Sequence, residues 1–407
     1  MKIEEIRLTH FRNYGNLTIT PHEGINLFFG QNGSGKTNLL EAIHFCALGK
    51  SHRTNSDAGI VQQGETEGAC RMELQNQSGR RTIAVRFTPA EAQKKTILID
   101  QKKIGRFSDM MGCLQCVIFS PEDLGIIREG PSVRRRYLDM MISQINRGYF
   151  IALQQYRSGL EQRNAILKTM KTQGGSNAYL EDFEQAMAMP AQIIVEERRK
   201  TVEVITELAR ETYAGISGRE EESFRIQYRS SLSKSENIQE DFLKMMRENR
   251  EQDVHQGLTL AGPHRDDLHL TLNGQDMRVF ASQGQVRTAA LSLKLSQLKT
   301  LRQLSGESPV LLLDDVMSEL DRTRRTSLLR EITPYQTFVT CTDESDLEES
   351  PDKRVYLVSA PEGQGQVVMS KPGYVTKKET LQEPCFTRNN RRDDIHAGMD
   401  PDTKTGN

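Results

Sequence analysis

The segment INLFFGQNGSGKTNLLEAIHFCALGK, residues 25–50, joins an apolar run to a glycine-rich loop and then to a helical pattern. Ile25–Phe29 leads into Gly30, and Gly30 followed by Gly35-Lys36-Thr37 fits the G-x-x-x-x-G-K-[ST] spacing of a phosphate-binding loop without a gap. The residue types carry the chemistry. Gly30, Gly33 and Gly35 let successive backbone N–H groups curl around a phosphate, and a helix starting near Gly35 adds the positive end of its dipole. Lys36 is placed to reach the β- and γ-phosphates, and the Thr37 hydroxyl to bind Mg²⁺. Leu39, Leu40, Ile43 and Ala47 recur at helical spacing and Gly49 supplies a stop, so the loop has the strand and helix that its pattern requires.

A partner for this loop lies far along the chain. PVLLLDDVMSELD, residues 309–321, is a buried-strand pattern ending in two carboxylates. Asp314 has the place of a Walker B aspartate that organises Mg²⁺, and Asp315 that of a group orienting the attacking water. Between the two elements, FASQGQVRTAALSLKLSQL (280–298) opens a helix at Ser282, Gly284 and Gln285, with Leu291, Leu295 and Leu298 as its apolar stripe. A hydroxyl and backbone N–H groups at a helix N-terminus make a second phosphate-binding surface. The loop at 30–37 already serves one triphosphate, so two half-sites in one chain suggest two chains trading halves.

Composition sets limits on the partners. At 407 residues the chain has room for two or three domains, and no apolar stretch approaches the ~20 residues of a membrane span. MKIEEIRLTH at the start lacks an apolar signal region, so a cytoplasmic protein is expected. The formal net charge of −1 argues against a uniformly basic surface, so contact with nucleic acid must be local. Candidate clusters are Lys94-Lys95, Lys102-Lys103 with Arg106, Arg134-Arg135-Arg136, Arg198-Arg199-Lys200, and Arg322, Arg324 and Arg325. The first two are the candidate basic face of a strand lobe, whereas Arg134–Arg136 have the alternative of being buried near a lobe junction. Cys113-Leu-Gln-Cys116 has no second pair and opens an apolar run, which predicts structural thiols rather than a zinc site.

The pattern along the chain predicts short strands at Ile3–Leu8, NLTIT, INLFF, ACRMELQN, RTIAVRFT, KTILID and CVIFS. From about residue 132 it turns helical. Leu153, Tyr156, Leu160 and Leu167 mark one face of a long helix with Asn164 breaking the stripe, and QGGSN at 173–177 reads as a loop. A second long helix, about Tyr179–Tyr213, is kinked or interrupted at Pro190, giving a hairpin that packs on itself. A short helix near 239–250 follows; then come a hairpin at Asn273-Gly274, a helix over 285–304, and strands at PVLLLDD, QTFVTCTD and RVYLVSA. Residues 373–407 are polar and aperiodic, which predicts a disordered tail.

The order GQNGSGKT, SQGQ, LLLDD, SELD resembles an ATP-binding-cassette ATPase: Walker A, signature motif, Walker B and D-loop. IEEIRLTHFRNYGNLTI with GQNGSGKTNLLEAIHF is similar to heads of the structural-maintenance-of-chromosomes (SMC) group. GKSHRT (49–54), FSPEDLGIIREGPSVRRRYLD (119–139) and AGPHRDDL (261–268) resemble the bacterial RecF family of DNA replication and repair proteins.

The resemblance, over roughly residues 1–370, implies an α/β, ABC-type P-loop ATPase head with an inserted helical lobe. Residues 1–125 would hold Walker A, 126–255 the helical lobe with its long hairpin, and 256–372 the signature, Walker B and D-loop. It implies that Gly30, Gln31, Asn32, Gly33, Ser34, Gly35, Lys36 and Thr37 bind ATP. Thr37 and Asp314 would hold Mg²⁺, and Lys36, Asp314 and Asp315 would serve catalysis. Ser282, Gly284 and Gln285 would meet the γ-phosphate on a second subunit, with Ser318–Asp321 as the D-loop at that interface. The implied activity is a slow, DNA-dependent ATPase acting in replication, recombinational gap repair and SOS induction. Its partners would be DNA bound without regard to sequence, a second copy in an ATP-dependent homodimer, and the mediators RecR and RecO. Asp315 stands where many cassettes have glutamate, and TFVTCTD offers no switch histidine, both of which predict slow turnover. The nucleotide-binding subunit of a transporter is the alternative, but the span from Lys36 to Ser282 is larger than a transporter's compact helical lobe. A P-loop kinase leaves SQGQ and SELD without a role.

Overall fold

The computed structural model describes residues 1–54, 57–90, 95–174, 178–219, 221–342 and 353–369. The expected tail at 373–407, Lys94 and residues 175–177 of the expected loop lie outside them.

The chain opens with β1 (Lys2–Phe11), β2 (Tyr14–Ile19) and β3 (Ile25–Phe29), then α1 (Lys36–Leu48), β4 (Gly68–Asn76), β5 (Gly79–Phe87), β6 (Lys95–Ile99) and β7 (Lys102–Lys103). All but β3 of these strands form one antiparallel sheet in the order β2-β1-β4-β5-β6-β7. Its buried residues fall at alternate positions, as in Ile6 and Leu8, Cys70 and Met72, and Ile83 and Val85, and they pack in one core with α1. The step from Ile3 to Ile6 breaks a period of two. A register shift between Ile3 and Glu5 absorbs the extra residue and keeps both isoleucines inside.

After β8 (Cys116–Phe119) come α2 (Gly125–Arg128), α3 (Pro131–Ile145), α4 (Arg147–Gln173) and α5 (Ala178–Ser217). Asn146 separates α3 from α4, its side chain accepting a hydrogen bond from the Tyr149 N–H at 3.0 Å. Asn164, which breaks the stripe of α4, accepts from the backbone N–H and hydroxyl of Thr259 at 2.8 and 2.7 Å. α5 runs through Pro190 without interruption, so of the expected kink or break the break does not occur. Packing supplies the reason: Met187, Ala188, Ala191, Ile194 and Val195 around the proline are all buried. The hairpin does not pack only on itself.

Next come β9 (Phe224–Arg229), α6 (Ile238–Glu248), α7 (Arg250–Gln256), β10 (Asp267–Leu272), β11 (Gln275–Asp276), α8 (Met277–Phe280) and α9 (Gln283–Ser305). α5 packs on α4, α6, β9 and α9. β9 pairs with β10 in a small antiparallel sheet closed by the Asn273-Gly274 turn, where both residues have positive φ, 52° and 79°.

β12 (Val310–Asp314), α10 (Arg322–Ile332), β13 (Thr337–Cys341), β14 (Lys353–Ser359) and β15 (Gln366–Met369) complete a second six-stranded sheet, ordered β15-β14-β3-β13-β12-β8 and parallel except at β15. Both faces are buried along the four strands β3, β13, β12 and β8, which therefore read as largely apolar runs. Val310 and Leu312 join the core around α1, while Leu311 and Leu313 join the core shared with the helices. The same alternation turns Asp314 toward α1.

Candidate nucleotide-binding site

The loop between β3 and α1 has the geometry its glycines foreshadow. Gly30, Gly33 and Gly35 have φ of 153°, 82° and 110°. A Cβ at Gly30 would lie 2.1 Å from the Val358 carbonyl oxygen, and one at Gly35 would lie 2.6 Å from Asn13. Gly35 is the N-cap of α1 and offers no side-chain cap, so the first N–H groups of the helix remain for a ligand. Ser34 Oγ is buried without a hydrogen-bond partner in the same loop. These features fit a polyphosphate.

Gln31, Asn32 and Gly33 form the exposed crown of the loop. Lys36 Nζ donates to the carbonyls of Gly30 at 2.6 Å and Gln31 at 2.9 Å, and its burial lowers the ammonium pKa. Asn13 and Tyr14, absent from the sequence-derived set, brace the loop from β1–β2. Asn13 donates to the Ser34 carbonyl and the Tyr14 hydroxyl to that of Gly35, both at 3.0 Å.

The end of β12 meets the start of α1. Thr37 Oγ1 donates to Asp314 Oδ1 at 2.8 Å, and Thr340 Oγ1 on β13 donates to the same oxygen at 2.8 Å. Burial is the main cause that raises the Asp314 pKa, because little solvent offsets its charge. A hydroxyl beside a poorly solvated carboxylate is a donor set that suits Mg²⁺, which takes few protein oxygens and completes its shell with water and phosphate. Asp315 is exposed and in the left-handed region, φ 54°. Its N–H donates to Thr340 Oγ1 at 3.0 Å, and its Oδ1 accepts from Ser318 at 3.3 Å. Thr340 thus ties both carboxylate residues to β13, a role that no pattern in TFVTCTD announces.

Ser282, Gly284 and Gln285 gather elsewhere. Ser282 is an exposed N-cap in a reciprocal box with Gln285: the Gln285 N–H donates to Ser282 Oγ at 3.3 Å, and the Ser282 N–H to Gln285 Oε1 at 3.0 Å. Gln285 Nε2 donates to Glu222 at 3.2 Å, so its side chain supports the turn. Gly284 faces Arg324, and Arg287 lies 3.6 Å from Glu319, which sets the turn against the segment after β12. Lys294 of α9 pairs with Asp123 at 3.0 Å, linking this helix to the loop after β8. Among the described residues no hydrogen bond joins Ser282, Gly284 or Gln285 to the 30–37 loop.

Two of the three distinctive stretches contact each other, and the third fastens to α1. Ser51 and Arg53 of GKSHRT fasten to Glu41 of α1, which Arg12 also grips with two hydrogen bonds. Arg134 of VRRRYLD pairs with Asp267 of AGPHRDDL at 2.7 Å. Arg198, fully buried, pairs with Asp139 at 2.7 Å and Asp266 at 3.0 Å.

Arg134 and Arg198 therefore drop out of the surface clusters. Lys95 donates to the Gly49 carbonyl at 2.8 Å and sits over the Phe45 ring, supporting the lobe rather than projecting from it. Lys102, Lys103 and Arg106 are exposed. Burial pushes the Cys116 thiol up to about 12 and Cys113 upward as well, which keeps both protonated. Among the described residues no helix is long and apolar enough to cross a membrane.

Two sheets around a P-loop helix, with an aspartate-ended strand beside that helix and a helical insert between the two halves of the head, define an SMC-type, ABC-like ATPase head. The family model for the RecF/RecN/SMC N-terminal domain matches residues 2–365. The chain is 37% identical over 363 residues to the DNA replication and repair protein RecF of Clostridium novyi, covering 89% of this chain and 99% of that one. It is 38% identical over 353 residues to RecF of Acetivibrio thermocellus, covering 86% and 95%. A solved structure of the recombination mediator protein RecF with ATPrS, in the RecFOR pathway, superposes with a TM-score of 0.82 at 35% identity, covering 90% of this chain and 98% of that one. An Smc head from Pyrococcus furiosus shares the fold at TM-score 0.55 and 17% identity, covering 90% and 96%. The chain belongs to the RecF family.

Proposed function

We propose that this chain is an ATP-dependent DNA-binding protein of recombinational gap repair and replication, active in the cytoplasm as a dimer that closes on ATP and hydrolyses it slowly. The observation that carries this reading is the meeting of Thr37 and Asp314 at 2.8 Å beneath the P-loop, with no hydrogen bond among the described residues from the Ser282 turn to that loop. The N–H groups of residues 30–37 and Lys36 hold the phosphates, and Thr37 and Asp314 present oxygens to the metal. Mg²⁺, when bound there, supplies positive charge to the β- and γ-phosphate oxygens. Asp315, fixed by Thr340 and Ser318, orients the attacking water; its short reach makes turnover slow. Ser282 and Gly284 complete the pocket of a second copy. Gln285 acts mainly by holding the Ser282 turn. The RecFOR pathway to which the solved RecF belongs supports RecO and RecR as co-workers of this chain.

ATP is expected to convert monomer to dimer in sedimentation, because it binds the shared form more tightly. Ser282→Arg places a bulky side chain on the exposed turn and is expected to leave ATP binding intact while abolishing the dimer. The same dimer with and without ATP, or in that variant, refutes the reading.

DNA contact through phosphates predicts affinity that falls steeply with salt and depends little on base sequence. Lys102, Lys103 and Arg106 are the first residues to test, as the exposed remainder of the strand-lobe cluster. Removing each phosphate contact is expected to reduce the slope of log K against log salt by about one. A triple alanine variant with an unchanged slope moves the DNA surface elsewhere.

A further inference from the structure

Thr340 places a hydroxyl in a strand that is buried throughout. β13 lies between β3, which feeds the P-loop, and β12, which ends at Asp314, and in its register Thr340 stands opposite Phe28 on one side and Asp314 on the other. It is 1% exposed. Phe338, two residues earlier on the same face, packs in the core around α1, so an apolar side chain at 340 would continue that face. A hydroxyl buried there costs stability unless it is bonded.

The bonds it makes run to the two carboxylate residues. Its single proton has Asp314 Oδ1 at 2.8 Å and the Leu313 carbonyl only at 3.5 Å, so it goes to the carboxylate, and its oxygen accepts the Asp315 N–H at 3.0 Å. Each bond fixes something different. Thr340 and Thr37 both donate to Oδ1, which sets the rotation of the Asp314 carboxylate and leaves Oδ2 without a hydrogen bond among the described residues. The bond from Asp315 holds a residue whose backbone is left-handed, φ 54°, a conformation that neighbouring contacts must maintain. Ser318 reaches the Asp315 carbonyl at 3.0 Å, but among the described residues only Thr340 is hydrogen-bonded to both aspartates.

We propose that Thr340 is a positioning residue for ATP hydrolysis, whose hydroxyl sets the Asp314 carboxylate for Mg²⁺ and, through the Asp315 backbone, the carboxylate that orients the attacking water. The inference rests on the ATP and Mg²⁺ site proposed above and adds to it a residue that touches neither nucleotide nor metal. Its two effects are separable. Through Asp314, loss of the hydroxyl weakens the hold on Mg²⁺; through Asp315, it slows turnover even where Mg²⁺ saturates. Phosphate binding by the 30–37 loop alone is untouched.

The experiment compares wild type, Thr340→Val and Thr340→Ser by calorimetric ATP binding over a Mg²⁺ series and in EDTA, and by turnover at saturating Mg²⁺. Thr340→Val, nearly the same shape without the hydroxyl, is expected to raise the Mg²⁺ needed for half-maximal binding and to lower turnover, each by about 10–100-fold, the usual scale for a group that orients a metal ligand. Its ATP binding in EDTA equals that of wild type. Thr340→Ser keeps the hydroxyl and stays near wild type in every measurement. If the valine variant does not fold, Thr340→Cys carries the test, because its thiol is a weak donor of similar size and shifts both quantities in the same direction. Wild-type Mg²⁺ dependence and turnover in the valine or cysteine variant overturn the proposal. So does a serine variant as impaired as valine, since the site then needs the methyl group rather than the hydroxyl. Binding lost in EDTA as well as in Mg²⁺ shows a collapsed loop and a merely structural role, which also overturns it. Wild type that binds ATP equally with Mg²⁺ and in EDTA overturns the underlying metal site instead.

Discussion

Lys36→Ala is expected to lower ATP turnover by about 10²–10³-fold or more, the scale of losing one preorganised donor to developing charge. Two effects add at this position. The side chain spans the loop through its bonds to the Gly30 and Gln31 carbonyls, so its loss removes a cross-brace of the phosphate cradle. Its ammonium is also the cation within the 30–37 loop itself, and partial burial strengthens its field on a bound phosphate. ATP binding measured by calorimetry is expected to weaken strongly in parallel. Asp315→Asn provides the contrast. Its carboxylate lies outside the cradle, so ATP binding should persist while turnover stops; normal turnover in that variant removes Asp315 from the catalytic role. Unchanged binding and turnover in Lys36→Ala would place the nucleotide elsewhere.

Arg198→Ala is expected to destabilise the protein by about 3–5 kcal/mol, the cost of leaving buried charges without their partner. The guanidinium holds Asp139, Asp266 and the Pro263 carbonyl, joining α3, α5 and the segment before β10. Its removal leaves Asp139 with Tyr149 and Arg157, but leaves Asp266, already raised in pKa by burial, beside the Tyr228 hydroxyl with no cationic partner among the described residues. The sign of the pH effect follows. An acid whose folded pKa lies above its unfolded value destabilises the fold at pH above the folded pKa, and the penalty fades as pH falls through the folded pKa and is gone below the unfolded value. The deficit of Arg198→Ala relative to wild type should therefore be largest at neutral pH and shrink on acidification. Urea midpoints at a series of pH values check both statements. A loss below ~1 kcal/mol at neutral pH shows that the network is dispensable.

The transporter alternative has no support from the relatives. In the insert α4 and α5 form a long pair whose second helix braces β9 and α9, Arg198 locks α5 to α3 and the segment before β10, and Arg134 ties α3 to the start of β10. The parallel sheet and helix α9 are joined through Lys294–Asp123, just after β8, the strand that pairs with β12.

The sequence alone determined whatever is written in neighbouring residues. Glycine spacing set the P-loop, alternation set β1, β4 and β5, an unbroken apolar run set β12, Asn273-Gly274 set the turn, and Ser282 with Gln285 set the start of α9. These are local rules of backbone geometry and periodicity, legible in windows of a few residues. Tertiary structure alone decided what depends on residues far apart. Thr37 and Asp314 are separated by 277 positions and meet because β12 lies in the sheet beneath α1. Strand β9 went unseen because FRIQYR is too polar and short to stand out without β10 beside it, and β15 because it needs β14. Arg134, Arg198 and Lys95 looked like surface cations because a charged residue announces its charge but not its burial; the carboxylates, carbonyl and ring that hold them come from other segments. Likewise, Val279 and Phe280 read as ordinary apolar residues before the signature, and only the packing of α8 turns them to solvent. Local pattern specifies which element forms, whereas burial and partnership are properties of the assembled chain, fixed by contacts whose members lie hundreds of residues apart.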